Sequence, residues 1–165
     1  MPTSTSKYMY VTNDPQKCVG CQFCEYICSY TKTGAFNTYR SRIRTVRAEE
    51  IVVTSIGCRT CENPPCVAAC PRDALWQDEK TGVIRVDAAR CDGCAWCIEA
   101  CDFGAISINP ATKRVEMCDL CETVEEGPQC VKWCPKEALE LTTPDQRAQR
   151  ARQKLAVEEV AGASQ

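Results

Sequence analysis

Apolar residues fall in short runs along this chain, and polar, turn-forming residues separate the runs. One stretch predicts a short helical turn over residues 71–75, a polar hairpin turn over residues 77–82 and a strand over residues 83–86. Elements of this length leave much of the chain in loops. We therefore expect a small apolar core that does not stabilise the fold by itself.

The composition changes after Leu141, where the pattern predicts a helix over residues 144–160. Thr143 precedes the helix as a capping residue, Pro144 takes its first position and Gln146 completes a capping box. Its apolar stripe consists of Ala148, Ala151 and Leu155. A stripe this thin does not fold alone, so we expect an arm that docks on a partner rather than a frayed tail.

The chain has 165 residues and a formal net charge of −2, which fits one domain or two very small ones and argues against nucleic acid as a partner. The first residues lack a cationic region followed by an apolar run, and no stretch approaches the roughly 18 apolar residues of a membrane span. We therefore expect no direct membrane insertion and a cytoplasmic location.

Cysteine is the unusual component, with 16 cysteines and no histidine in the chain. The cytoplasm keeps thiols reduced, which favours metal ligands over disulfides. The lack of histidine removes the commonest general base and every zinc site that uses an imidazole. Any bound metal is therefore expected to have thiolate ligands, and we predict no catalytic residues.

The cysteines form four groups that obey one template. Each group has a Cys-x-x-Cys pair, a third cysteine after a variable gap and a fourth cysteine four positions beyond the third. The gap holds two residues in the first and third groups, four in the second and eight in the fourth, where the letters EEGP predict a polar turn. In chain order the groups are Cys18, Cys21, Cys24 and Cys28; Cys58, Cys61, Cys66 and Cys70; Cys91, Cys94, Cys97 and Cys101; and Cys118, Cys121, Cys130 and Cys134.

This template resembles the bacterial ferredoxin run C-x2-C-x2-C-x3-C, in which three cysteines bind one 4Fe-4S cluster and the fourth reaches the other cluster of a pair. Pro71 and Pro135 match the proline that follows that run, whereas Ser29 and Asp102 depart from it. The main alternative is a zinc-bound interaction module, because four-cysteine zinc sites also use Cys-x-x-Cys pairs. Zinc ribbons, however, lack the third and fourth cysteines at fixed offsets.

Residues 70–106 resemble the middle of a two-cluster ferredoxin, which joins the second and third groups into one module. The segments MYVTNDPQKCVGC and GAISINPATKRVEM resemble a ferredoxin's first strand and closing hairpin. By elimination, the first and fourth groups form another module, which surrounds the module of the second and third groups. The expected fold is α+β, with two nested ferredoxin-like dicluster modules: an outer one of residues 1–49 and 117–142, an inner one of residues 50–116, and a C-terminal helical arm of residues 143–165.

This nested layout, with the strings CRTCENPPCVAACP, CDGCAWCIEAC and CDLCETVEEGPQCVKWCP, resembles the polyferredoxin electron-transfer subunits of molybdenum and tungsten oxidoreductases. The dimethyl-sulfoxide-reductase iron-sulfur subunits belong to this family, and the small size is most similar to the small subunit of bacterial tungsten aldehyde oxidoreductases. The resemblance implies a non-catalytic subunit that takes electrons from a tungsten or molybdenum partner, which we expect to oxidise an aldehyde.

The same resemblance suggests a flavin- or NAD-linked subunit or a ferredoxin as acceptor, and it is compatible with self-association. A free polyferredoxin that shuttles electrons among enzymes is the alternative. Such a carrier is expected to be stable alone, whereas a permanent subunit is expected to copurify with a large partner.

The resemblance further implies four 4Fe-4S clusters, because relatives with a three-iron cluster lack a cysteine of the third group and this chain has all four. The family pattern assigns Cys18, Cys21, Cys24 and Cys134 to cluster 1; Cys118, Cys121, Cys130 and Cys28 to cluster 2; Cys58, Cys61, Cys66 and Cys101 to cluster 3; and Cys91, Cys94, Cys97 and Cys70 to cluster 4. Cluster binding then supplies much of the folding free energy, so we predict that the cluster-free chain is largely unfolded.

Four arginines in the run RSRIRTVR, residues 40–47, allow two interpretations. They line a docking face or offset cluster charge, or they form the solvent side of a strand whose apolar side, Ile43 and Val46, packs. We favour the second. The three tryptophans are expected to shield clusters or fill interfaces rather than carry electrons; they are Trp76, Trp96 and Trp133.

Overall fold

The computed structural model describes residues 8–49 and 52–162, in which eight short strands form four two-stranded antiparallel ladders. The ladders pair β1 (Tyr10–Asn13) with β8 (Leu139–Thr142), β2 (Arg44–Ala48) with β3 (Val52–Ile56), β4 (Leu75–Gln77) with β5 (Ile84–Val86), and β6 (Ile106–Ile108) with β7 (Val115–Met117). The helices are α1 (Phe23–Thr33), α2 (Pro65–Ala68), α3 (Trp96–Glu99), α4 (Gln129–Lys132) and α5 (Pro144–Gly162), with a 3-10 turn at Thr38–Arg40.

The ladder of β1 and β8 closes the fold on itself. Tyr10 lies opposite Thr142 and Asn13 lies opposite Leu139, so strands from the two ends of the described chain meet. The other three ladders lie between them in sequence. This topology agrees with the expected α+β fold and with nesting, while the module boundaries stay a prediction.

Buried side chains form two cores, and cysteines belong to both. One core surrounds the second and third cysteine groups and contains Cys58, Cys66, Leu75, Ile84, Cys97, Ile106, Val115 and Met117. The other surrounds the first and fourth groups and contains Val11, Cys24, Cys28, Ile43, Cys130 and Leu139. The cores thus contain cysteines of the second and third groups and of the first and fourth groups, although Cys118 of the fourth group also packs against the first core. The pairing of the groups stays a prediction.

The β2–β3 hairpin crosses the predicted boundary between residues 49 and 50. Its side chains face the first cysteine group, because the hydroxyl oxygens of Thr45 and Ser55 lie 3.6 and 3.5 Å from the Cys24 Sγ. Strand β3 also packs beside β1. Both strands of this hairpin therefore lie on the side of the core that contains Cys24.

The helical turn predicted over residues 71–75 is wrong. Asp73 has a left-handed φ of 49°, which interrupts a right-handed helix, and Leu75 begins strand β4. The following hairpin is confirmed: the Gly82 amide donates to the Asp78 carbonyl at 2.8 Å, and β5 returns from the turn.

The strand expected in residues 40–47 forms, but the predicted packed side is wrong. Ile43 is 2% exposed and directly precedes β2, whereas Val46 is 42% exposed. Side chains three positions apart point to opposite faces of extended chain. Burial of Ile43 therefore leaves Val46 facing outward.

The C-terminal helix and its capping box are confirmed. Helix α5 begins at Pro144, the Gln146 amide donates to the Thr143 hydroxyl at 3.3 Å, and the Thr143 amide donates to the Gln146 side chain at 3.1 Å. These reciprocal bonds satisfy two N–H groups at the helix start.

Polar contacts attach α5 to the outer module. Arg147 donates to the Thr12 hydroxyl at 2.7 Å, and Lys154 donates to the Gln16 side chain at 3.1 Å. The apolar Leu155 is exposed. Among the described residues, α5 included, no helix has the length and apolar content that crossing a membrane requires.

Candidate metal centres

Three of the expected cysteine quartets each line one cavity. Site A is lined by Cys18, Cys21, Cys24 and Cys134. Site C is lined by Cys58, Cys61, Cys66 and Cys101. Site D is lined by Cys70, Cys91, Cys94 and Cys97. In each site the four cysteines come from two sequence groups, as cross-ligation requires.

The fourth quartet, site B, consists of Cys28, Cys118, Cys121 and Cys130. Burial raises the pKa of the Cys130 thiol well above its usual value, and the charges of the other three cysteines raise it further. Cys28 and Cys130 pack in the same core, and the Lys32–Asp119 contact ties helix α1, which carries Cys28, to the loop of Cys118 and Cys121. The assignment of each cysteine as a cluster ligand stays a prediction.

Each Cys-x-x-Cys loop bends through a left-handed residue directly before its second cysteine. These residues are Gly20 (φ 67°), Thr60 (φ 45°), Gly93 (φ 72°) and Leu120 (φ 53°). Position 93 excludes a side chain, because a Cβ there would lie 2.0 Å from the Lys113 carbonyl oxygen. Thr60 and Leu120 hold the same conformation with side chains, at a cost of about 1–3 kcal/mol each.

The third cysteine of every group lies on a helix. Helices α2, α3 and α4 have four residues each, and the fourth cysteine of their group follows the helix end. Helix α1 has 11 residues and carries both Cys24 and Cys28. Ser29 rather than proline follows Cys28, so no proline ring interrupts α1 there, and the buried Ser29 hydroxyl donates to the Tyr26 carbonyl at 2.9 Å.

At least one cysteine sulfur in each site accepts a hydrogen bond from a backbone N–H group. The pairs are Ala138 to Cys134 in site A, Arg42 to Cys28 in site B, Thr60 to Cys58 in site C and Ala74 to Cys70 in site D, with N···S distances of 3.3, 3.3, 3.5 and 3.3 Å. Hydrogen bonds of this kind stabilise negative charge on the sulfur.

Burial opposes charge on the free thiols. It raises the pKa of Cys58 and of Cys97 to about 11, and the pKa of Cys66 and of Cys118 to about 12, with neighbouring cysteines adding to each rise. These thiols therefore keep their protons at neutral pH unless a bound cation displaces them.

Asp119 joins site B to the rest of the outer module. Its carboxylate lies 2.7 Å from the Lys32 Nζ and 2.7 Å from an Arg42 Nη1, and it accepts the Cys121 amide at 3.1 Å. These cations hold the pKa of Asp119 below its usual value against the opposing effect of burial. The interpretation of residues 40–47 as a solvent-facing charged side is therefore wrong for Arg42.

Glu25 has a similar position beside site A. It is 5% exposed, its Oε1 accepts the Thr45 amide at 2.6 Å, and an Arg44 Nη1 lies 3.8 Å from its Oε2. Arg44 also donates to the backbone carbonyls of Thr38 and Tyr39. It binds groups within the protein, so the solvent-facing interpretation is wrong for this arginine too.

The three tryptophans stay near the surface. Trp76, Trp96 and Trp133 are all about half-exposed or more, so none of them fills a core. The Trp133 indole N–H donates to the Gln129 side chain at 3.2 Å. Their expected role in interfaces stays a prediction.

The donor set of these sites fits iron-sulfur clusters. Each site has four thiols from two groups, a left-handed loop and an N–H group directed at sulfur, which are features of cluster-binding loops. Within residues 8–49 and 52–162, no three cysteine, aspartate or glutamate side chains are arranged to hold a single metal ion.

Comparison with known families bears directly on these loops. Residues 49–143 match the family model described as a 4Fe-4S dicluster domain. This chain belongs to the 4Fe-4S dicluster domain family. The match covers the second, third and fourth cysteine groups, and it confirms the expected iron-sulfur, ferredoxin-like character of this dicluster protein. The number of four clusters stays a prediction.

Curated relatives of the dicluster chain include electron-transfer proteins. It is 32% identical over 153 residues to the thiosulfate reductase electron transfer subunit PhsB of Salmonella typhi, covering 86% of this chain and 79% of that protein. It is 31% identical over 152 residues to the electron transport protein HydN of Escherichia coli, covering 79% and 85%. Among solved structures, a chain of the BamBC complex of benzoyl coenzyme A reductase matches with TM-score 0.50 and 23% identity over 94% of this chain and 95% of that one, which supports the fold alone.

Sequence reasoning missed the charged groups around sites A and B. Asp119 meets Arg42 and Lys32 across 77 and 87 residues of sequence, and Glu25 meets Thr45 across 20. No local pattern marks such pairs. One sequence feature did mark Asp119, however. Asp92 and Asp119 each directly follow the first cysteine of their group, at the same loop position.

Proposed function

We propose that this chain is a non-catalytic electron-transfer subunit that holds four 4Fe-4S clusters, one in each of sites A to D. The order in which the sites adjoin one another carries the proposal. Cys24 of site A packs in one core with Cys28 and Cys130 of site B, and Cys118 of site B packs against the core that contains Cys58 of site C. Helices α2 and α3, which lead into sites C and D, pack together.

Each cluster, when bound, would supply one-electron oxidation and reduction at its site. The chain's own residues hold four sulfurs around each cavity and direct N–H groups at them. Burial of the third cysteine of every group keeps water from part of each site; these residues are Cys24, Cys66, Cys97 and Cys130. The sites form a series from A through B and C to D, which suits conduction between two partners.

A larger catalytic subunit is the proposed partner. The relative from Salmonella typhi is named as an electron transfer subunit of a reductase, which supports a place for this chain in an oxidoreductase complex. A tungsten or molybdenum centre in that partner, aldehyde oxidation, and a flavin- or NAD-linked subunit or ferredoxin as acceptor are parts of the proposal that rest on the resemblance of the motifs.

A free electron carrier is the second candidate. The relative from Escherichia coli is named as an electron transport protein and covers a similar share of this chain. Such a carrier would hold the same clusters and would need only transient contacts. The expected cytoplasmic location and the expected lack of nucleic acid binding stay predictions for both candidates.

Anaerobic purification from the native source under mild conditions distinguishes the permanent subunit from the free carrier. We expect a large protein containing tungsten or molybdenum to copurify, and we expect addition of its aldehyde substrate to bleach the brown colour of this chain. Brown protein that runs alone in every preparation would instead establish the free carrier. A colourless protein holding zinc would overturn both candidates.

A further inference from the structure

Helix α1 carries opposite charges toward its two ends, and each lies beside a different site. Glu25, in the first turn, directly follows Cys24 of site A. Lys32, in the last turn, follows Cys28 of site B by one helical turn. The Glu25 side chain is buried, at 6% exposure, and the Lys32 side chain is mostly buried, at 10% exposure. In a buried environment a charge acts on its neighbours with little screening.

The negative charge at site A is only partly neutralised. The nearest cation to Glu25 is the Arg44 guanidinium at 3.8 Å, and that group is shared with two backbone carbonyls. The Thr45 hydroxyl lies 3.6 Å from the Cys24 sulfur, and the Thr45 amide donates to the Glu25 carboxylate at 2.6 Å, so this carboxylate lies close to a site A sulfur. Glu25 therefore opposes added negative charge at site A.

The charge balance at site B has the other sign. One carboxylate, Asp119, contacts two cations, Lys32 and Arg42. These three groups together carry a net charge of about +1 at neutral pH. The Cys121 amide donates to the Asp119 carboxylate at 3.1 Å, which places this trio directly beside the site B loop. The Arg42 amide also donates to the Cys28 sulfur at 3.3 Å.

Other charges near the two sites are exposed or, like the Glu122 side chain at 22% exposure, paired with an exposed cation. Arg47 donates to the Gly20 carbonyl in the site A loop at 3.1 Å, and Lys136 borders the site A cavity, but both side chains face water. In the site B loop, Glu122 pairs with Arg85 at 2.8 Å. Solvent screens such groups, so the buried pair on α1 dominates the difference between the sites.

We propose that α1 sets a potential step inside the outer module, such that site B holds an added electron more readily than site A. The inference rests on the proposed function, which supplies a cluster at each site. Reduction adds one electron and one negative charge to a cluster, which the buried Glu25 disfavours at site A and the mostly buried Lys32 favours at site B. An electron shared between these neighbours therefore resides mainly at site B.

Redox titration of the intact holoprotein tests this step. Dithionite serves as reductant, and electron paramagnetic resonance follows each reduced cluster. Glu25→Gln should raise one midpoint potential, and Lys32→Gln should lower a different one. Each change should alter the electron distribution between the two sites by about tenfold, which is about 59 mV for a one-electron step.

Matched variants separate charge from structure. Glu99→Gln and Lys132→Gln remove the same charges from exposed side chains two residues beyond Cys97 and Cys130, and they should leave every potential in place. Glu25→Asp and Lys32→Arg keep the charges and should keep the potentials. A purely structural role predicts no such difference between the neutral and the charge-conserving variants.

The outcomes distinguish this inference from the proposed function. Wild-type protein with fewer than four clusters' worth of iron would contradict the proposed function. Four clusters whose potentials do not move in Glu25→Gln and Lys32→Gln, or move in the same direction, would contradict the inference alone. If Lys32→Gln loses iron from site B, the potential shift in Glu25→Gln tests the inference alone. That variant keeps the local structure, because the new glutamine side-chain oxygen still accepts the Thr45 backbone N–H.

Discussion

The Lys32 Nζ lies 2.7 Å from an Asp119 carboxylate oxygen, which ties the end of the helix that carries Cys28 to the loop that carries Cys118 and Cys121. Asp119→Asn removes the charge from this contact while keeping an acceptor for the Cys121 amide. Two partly buried cations then lack a charged partner, so we expect the free energy of unfolding of the holoprotein to fall by about 1–3 kcal/mol. Chemical denaturation under anaerobic conditions measures the change.

Asp92 supplies the matched control, since it occupies the same position in the third cysteine group. It accepts the Cys94 amide at 3.2 Å and pairs with Arg72 at 2.9 Å, but both side chains are well exposed. Asp92→Asn should therefore change stability far less than Asp119→Asn. Equal losses of stability in both variants would mean that the partly buried Asp119 pairing stabilises the protein no more than the exposed Asp92 pairing.

Gly93 allows a test of the loop geometry in site D. In Gly93→Ala the new Cβ meets the Lys113 carbonyl oxygen at 2.0 Å, so the loop must shift and the cysteines on either side with it. We expect about 12 instead of about 16 iron atoms per chain. Gly104→Ala is the control, because its φ is also left-handed at 58° but no atom lies within 4 Å of the new Cβ. That variant should keep its iron and lose only about 1–2 kcal/mol of stability.

Removal of the clusters should unfold the protein. The two cores contain cysteines among few aliphatic side chains, and burial raises the pKa of several of these thiols, so the apolar contacts alone are too few to order the chain. Acid or chelator treatment followed by circular dichroism should show largely lost secondary structure. A native-like spectrum with a cooperative thermal transition would disprove this dependence.

The C-terminal arm should be dispensable for the clusters. Helix α5 contacts the outer module through polar pairs such as Arg147 with Thr12, and its apolar Leu155 is exposed. A chain that ends at Thr143 should therefore bind the same amount of iron as the full chain. We expect it to copurify with less of the catalytic partner, whereas unchanged recovery of the partner would assign the arm another role.

Local patterns predicted the parts of the fold that local chemistry determines. The capping box of Thr143 and Gln146 and the hairpin closed by Asp78 and Gly82 depend on neighbouring residues, and both form as expected. The turn at Asp73 was missed because an aspartate in a left-handed conformation has no clear sequence signal.

The regular spacing of the cysteines made the four groups visible in the sequence, whereas that spacing did not indicate the charges around them. Lys32 and Asp119 meet only after α1 packs on the fourth group, and Thr45 reaches Cys24 only after the β2–β3 hairpin folds over site A. Contacts over such separations depend on tertiary packing. Sequence spacing therefore indicates candidate ligands but not the charges that surround them.

Iron, acid-labile sulfide and zinc per chain, measured on anaerobically purified wild-type protein, test the central claim most directly. Four 4Fe-4S clusters require about 16 iron and about 16 sulfide per chain, with a brown colour that dithionite bleaches. About four zinc ions in a colourless protein, or iron that saturates near eight in fully loaded protein, would contradict the assignment of a cluster to each of the four sites.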